Sequence, residues 1–306
     1  MNILSRISEK LFGNKLTKSI AELKDNQRQQ LFVQRKYLLE QRIMSSETKG
    51  VTDEKYCDKQ IIVSLTTYGN RIYDVHLTIE SIMEQTMLPN RIILWLDDSF
   101  QNTLLPCPLQ LLQKRGLEIK YCRDIRSYTK LIPSLRHFPD DVIITVDDDL
   151  IYEFDLLERL IQAYQENPSY IYCHRYHRML KDKHDILLPY NKWSLVYNDM
   201  QPSHLNFATG VGGVLYPPHS LDDEVLNEDV FLKLCPYADD VWFKAMALKK
   251  GTLVKKVHSH SRYSEDFLLN MDAQSQCLQQ MNVGNQFNDK QLHAVFTRYS
   301  LYPLLK

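Results

Sequence analysis

Three consecutive carboxylates, Asp147, Asp148 and Asp149, follow the run Ile143-Ile144-Thr145-Val146. Adjacent like charges repel unless solvent, a hydrogen-bond donor or a cation compensates them. In extended geometry Asp147 and Asp149 project to one side and Asp148 to the other. A divalent ion can take oxygens from such carboxylates while it holds two phosphate oxygens. The run therefore reads as a metal-assisted site for a phosphorylated ligand. The plainer alternative is a turn or a helix start, where Asp is favoured, and Asp149 could serve a helix near Glu153 that way.

Other residues could share that chemistry. Asp97, followed by Asp98 and Ser99, ends a second apolar run and can accept a hydrogen bond from a base N–H, or simply cap a turn. Lys130, in SYTKL, could neutralise a diphosphate or sit on a solvated helix. Asp239 and Asp240 open a helical stretch, where they complement its dipole. Beside an acceptor hydroxyl, either could instead act as general base. Gly210, Gly212 and Gly213 allow a tight turn or close approach to a ligand, but TGVGGVLY is not a dinucleotide fingerprint. His258 and His260 share one face if extended. Trp242 reads as core, whereas Trp193, in an irregular segment, is an acceptor-site candidate.

The elements that must carry these residues alternate in period. Buried strands are expected at 61–67, 91–96, 117–122, 141–146 and 169–173, with a late strand at 252–257. Between them, helical spacing covers Ile72–Met83, residues about 108–115, Glu153–Gln165 and the stretch ending at Gly251. This rhythm predicts an α/β fold with a mostly parallel sheet covered on both faces, and ligands beyond the carboxyl ends of its strands. A helical extension over about 20–45 and a linker precede it. The expected division is 1–50 extension and linker, 58–265 main domain and 266–306 C-terminal extension. A common ligand would bind before about residue 173, and its partner after it.

IIVSLTTYGNRI, TIESIMEQTMLPNRIILWLDD, PDDVIITVDDDLIY, GVGGVLYP and CPYADDVWF together resemble bacterial glycosyltransferases with the A-type nucleotide-sugar-binding fold, related to the family-2 class. The resemblance covers roughly residues 60–260. It implies sugar transfer from a nucleoside diphosphate, most often uridine diphosphate, to a hydroxyl of a surface glycan such as capsule or lipopolysaccharide, with Mn²⁺ or Mg²⁺. By resemblance Asp149 is the metal ligand. Asp147 assists through the ribose, the sugar or the metal's water shell, and Asp148 shapes the turn or field. Thr66, Thr67 and Tyr68 would wall the base and ribose, with local turn capping as the alternative for the threonines. Arg71 would approach the same ligand, and Asp97 would recognise the base. His258 or His260 would complete the metal site. Asp240, or else Asp239, would be the base of an inverting displacement. Rival readings are a retaining glycosyltransferase, a metal-dependent nucleotidyltransferase and a non-catalytic glycan- or nucleotide-binding module.

Composition sets outer bounds. The chain has 306 residues with 44% hydrophobic and 25% charged, enough for a sizeable core. A net charge of -1 shows no basic excess of the kind nucleic-acid binding needs. Six dispersed cysteines, including Cys277, show no CxxC spacing, which argues against a zinc knuckle and fits a reducing cytoplasm. No signal peptide and no membrane-spanning run is expected. Ile3, Leu4, Ile7, Leu11 and Phe12, with Arg6, Lys10 and Lys15, could form a short helix at the inner face of a membrane or a docked terminal helix.

Overall fold

A computed structural model describes residues 3–260, 267–270 and 287–306; side chains of residues 1–18 and Ala21, like Cys277, lie outside the described residues. Helix α1 (Ile3–Ser45) comes first. A connector without regular structure leads to β1 (Ile61–Thr66), α2 (Val75–Met83), β2 (Arg91–Asp97), α3 (Cys107–Lys114) and β3 (Leu117–Cys122). Then come α4 (Ile132–His137), β4 (Val142–Thr145), β5 (Leu150–Tyr152), α5 (Leu156–Glu166) and β6 (Ile171–Cys173). The second half holds β7 (Tyr176–Arg178), β8 (Ser194–Leu195), β9 (Asn206–Ala208), β10 (Val214–Tyr216), α6 (Glu228–Leu234), α7 (Asp239–Lys250) and β11 (Val254–Lys256). Two described elements remain, β12 (Phe267–Leu269) and α8 (Phe287–Arg298).

Seven strands form the central sheet in the order β11-β6-β10-β4-β1-β2-β3. Only β10 runs antiparallel to its neighbours. The α/β architecture expected from the alternating periods is therefore present. Period-2 alternation divides the core. Ile62, Ile93, Trp95 and Ile143 face one apolar cluster, and Ile61, Val63, Ile92, Leu94, Val142 and Ile144 face the other. α7 and α8 cover the first face, while α2, α3 and α5 cover the second.

Two differences from the sequence reading matter. α1 begins at Ile3, well before residue 20. The segment after the acidic run is β5 before it is helix, so α5 starts at Leu156 rather than Glu153. Thr78 Oγ1 donates to the carbonyls of Asp148 (3.0 Å) and Leu150 (2.7 Å), and β12 pairs with β5. These partners lie far off in sequence, so local spacing did not reveal them. α1 is tied to the body through Glu80, a fully buried carboxylate on α2. Arg42 Nε lies 2.8 Å from it, and Arg115 meets both its oxygens at 2.6 and 3.0 Å.

Candidate active site

The carboxyl ends of β1, β2 and β4 converge on the acidic run, because parallel strands in register finish on one edge. Asp147, Asp148 and Asp149 have three different environments. Asp148 is buried and accepts from Thr67 Oγ1 at 2.6 Å and Arg71 Nη1 at 2.7 Å. Burial pushes its carboxyl up, opposed by Arg71 and Thr67. Asp149 Oδ2 is 3.3 Å from Arg71 Nη2, so one guanidinium serves two neighbouring carboxylates. Asp147 turns the other way and accepts from Lys130 Nζ at 3.0 Å. Its backbone N–H donates to the hydroxyl of buried Tyr152 at 2.9 Å.

Lys130 is the hub. Its backbone carbonyl accepts from Ser64 Oγ at 2.6 Å, which fixes it beneath β1. Its ammonium lies 3.0 Å from Asp147 Oδ1 and 3.0 Å from Asp239 Oδ2, the latter an ion pair without hydrogen-bond alignment. Burial alone would lower its pKa, but Asp147, Asp239 and Asp240 outweigh that and hold it well above the usual lysine range. Gly210 makes this packing possible. A Cβ there would meet Lys130 Nζ at 2.5 Å and Asp147 Oδ1 at 3.3 Å. Its N–H donates to both Asp240 oxygens, at 3.1 and 3.2 Å. Gly212 and Gly213, at φ 92° and 91°, then turn the chain into β10.

Asp239 and Asp240, equivalent in sequence, differ here. Asp239 faces the ammonium, while Asp240 hangs from the Gly210 amide. Burial, then the charge of Asp239, pushes the Asp240 carboxyl up to about 7, against the pull of Lys130. The Tyr190 phenol, pushed up to about 12 by burial, also feels Asp240 and Arg175. Arg175 Nη1 donates to Thr209 Oγ1 at 3.0 Å, one residue before Gly210.

Other candidates are less central. Thr66 Oγ1 donates to the Trp95 carbonyl at 2.9 Å, and Tyr68 is exposed with the Arg71 guanidinium 5.2 Å from its ring. Asp97 ends β2 and accepts from the Ser99 amide at 2.9 Å, which is turn capping. His260 Nε2 lies 2.7 Å from Asp155 Oδ2, and the His258 carbonyl accepts from Arg159 Nη1 at 2.8 Å. Among the described residues, no three His, Cys, Asp or Glu side chains form a group able to hold a metal ion. Trp242 is core, as read. Trp193 is also core: it is 8% exposed, donates from Nε1 to the Leu188 carbonyl and packs on Tyr190 and Phe207. Tyr190 and Arg175 lie in no short motif, and Tyr152, although it closes the motif PDDVIITVDDDLIY, was given no role because its hydroxyl reaches the Asp147 amide only in the folded chain.

Residues 65–214 match the family model described as Glycosyl transferase family 2. No curated protein matches the chain. Among solved structures, S. aureus TarS 1-349 is similar at 15% identity and a TM-score of 0.44, with 68% of this chain and 59% of that one covered. Its complex with UDP gives 13% and 0.43 over the same shares. The chain thus spans well under two thirds of these neighbours. A 4-diphosphocytidyl-2C-methyl-D-erythritol synthase from Anaerococcus prevotii gives 13% identity and a TM-score of 0.40, covering 67% of this chain and 90% of that one. The similarity to family-2 glycosyltransferases thus spans residues 65–214, which run from the end of β1 through the acidic run to the start of β10.

Proposed function

We propose that this chain transfers a sugar from a nucleoside-diphosphate sugar, of the uridine type, to a hydroxyl of a surface glycan, with inversion at the anomeric carbon. The observation that carries the reading is the buried Lys130 ammonium bracketed by Asp147 and Asp239, with Asp240 beside it on the Gly210 amide. Phosphate-side and acceptor-side groups meet there. Asp240 is the base. A carboxyl pushed up to about 7 transfers protons efficiently near neutral pH. It takes the acceptor hydroxyl's proton as that oxygen bonds to the anomeric carbon. The anomeric carbon–phosphate oxygen bond breaks, and the diphosphate leaves with the electron pair. Lys130 and Arg71 offset the charge that gathers on the leaving group.

In this reading Asp149, assisted by Asp147, would hold a Mg²⁺ or Mn²⁺ ion together with substrate phosphate and water, because among the described residues no protein-only metal group forms. When bound, such an ion would neutralise diphosphate charge. Thr66, Thr67, Tyr68 and Asp97 belong in this reading to the nucleotide side, and Asp148 holds Arg71 there. His258 and His260 are assigned no necessary part. The enzyme works in the cytoplasm at the inner face of a membrane.

The test is a panel of sugar nucleotides with Mg²⁺ or Mn²⁺ and glycan acceptors. Nucleoside-diphosphate release and product NMR are read together. Release of uridine diphosphate with an inverted linkage is the expected result. A retained linkage would remove Asp240 from its role as displacement base.

A further inference from the structure

We propose that the outer face of α1 docks on an anionic lipid surface, an inference that rests on the membrane-side reading above and deepens it to a face and a lipid charge. Burial along α1 is one-sided and late. Phe32, Leu39 and Ile43 pack on the body, whereas the side chains described from Ser19 to Leu31 are all exposed. A lone helix in water gains little from propensity and draws most of its stability from packing of an apolar face. α1 has such a face pointing away from the body. At 100° per residue, Ile20, Leu23, Gln27, Leu31, Gln34 and Leu38 fall within an arc of about 80°. Its four aliphatic members are 45–67% exposed. Phe32, Leu39 and Ile43 lie more than about 80° away from that arc, so one helix can hold the body and still offer the other side.

Charge selects the occupant. α1 carries nine basic and four acidic residues, leaving 28 basic and 34 acidic in the rest of the chain. A helix of net charge +5 is thus attached to a remainder of −6. Lys24 lies about 20° beyond the apolar arc and Arg28 about 60° beyond it on the same side, and both are exposed. Glu22, Asp25 and Glu40 fall on the far side, about 120° or more from its centre. Two such helices laid together would bring like charge to like charge, which disfavours a second copy as the occupant. An anionic bilayer meets both features, taking aliphatic side chains between its headgroups and attracting Lys24 and Arg28. Among the described residues no helix is long and apolar enough to cross a membrane, so the contact is one of lying on the surface.

The test uses the full chain, without sugar donor, in co-sedimentation with vesicles. One set is phosphatidylcholine alone, the other a mixture with phosphatidylglycerol. Binding to the anionic set should be at least about tenfold tighter and should weaken about tenfold between 0.1 and 0.5 M salt. L23E/L31E should reduce binding by about tenfold or more. K24E/R28E should bring anionic vesicles down to the neutral level. Both pairs are exposed, so folding and any donor hydrolysis should persist. Equal binding to the two vesicle types, or none to either, overturns the proposal. So does a mass of two chains in light scattering that L23E/L31E returns to one, because the face is then a self-association surface. Failure here leaves sugar transfer untouched, and failure of sugar transfer leaves vesicle binding to be measured by itself.

Discussion

At the scale of single residues, the central feature is one buried cation shared among carboxylates. Lys130 contacts Asp147 and Asp239 and feels Asp240, so removing it strands three negative charges where solvent cannot screen them well. Lys130→Met should cost about 3–5 kcal/mol in urea unfolding at pH 8. Asp240 behaves differently. Its folded pKa of about 7 stands above the usual value of 3.8, so the folded state binds the extra proton. Stability therefore falls as pH rises from about 4 to about 7, and the penalty is complete above 7. Asp240→Asn should relieve about 1–2 kcal/mol at pH 8 and nothing at pH 4. The same substitution should lower sugar transfer by about 10²–10⁴-fold, and wild-type kcat should rise with pH through about 7. A melting series across pH and a pH–rate profile check the two halves of this prediction.

At the scale of elements, Glu80 fastens α1 to the body. Arg42 of α1 and Arg115, which follows α3, both end on this one buried carboxylate. Glu80→Gln keeps the shape and removes the charge. It should destabilise by about 3 kcal/mol, since two guanidiniums lose their counter-charge. Hydrogen exchange should show α1 amides near Arg42 losing protection first, because that end of the helix depends on the link. The elements differ in how legible they were. β1 to β4 could be read locally, because strands buried on both faces must be continuous apolar runs. β5 could not, because a three-residue strand carries too little pattern and its partner β12 lies more than 110 residues away. The same holds for β7, β8 and β9, whose pairing among themselves crosses an irregular, polar stretch.

At the scale of the molecule, the two halves share one sheet and one core. β10 and β11 from the second half complete the sheet beside β4 and β6. Phe296 of α8 is fully buried in the cluster that also holds Trp242, Ile62 and Ile143. A cavity there should be felt throughout. Phe296→Ala should cost about 3–5 kcal/mol. Its urea midpoint should shift equally for probes in the first strands and in α7, with one transition in both. Two separated transitions would show that the halves unfold independently.

By itself the sequence determined the alternation of buried strands and amphipathic helices, the edge at which Asp97 and the acidic run had to lie, and the family-2-like resemblance. These follow from period, composition and order along the chain, which are local properties. It also marked Asp239 and Asp240 as a pair without separating them. Only the tertiary structure turned Asp148 toward Arg71 and Asp147 toward Lys130, hung Asp240 from Gly210, and took Trp193 into the core. Those outcomes depend on which side chains share a small, poorly solvated volume. Residues 130, 147, 210 and 240 meet within hydrogen-bond reach there although the chain spaces them far apart, and no local pattern encodes such a meeting.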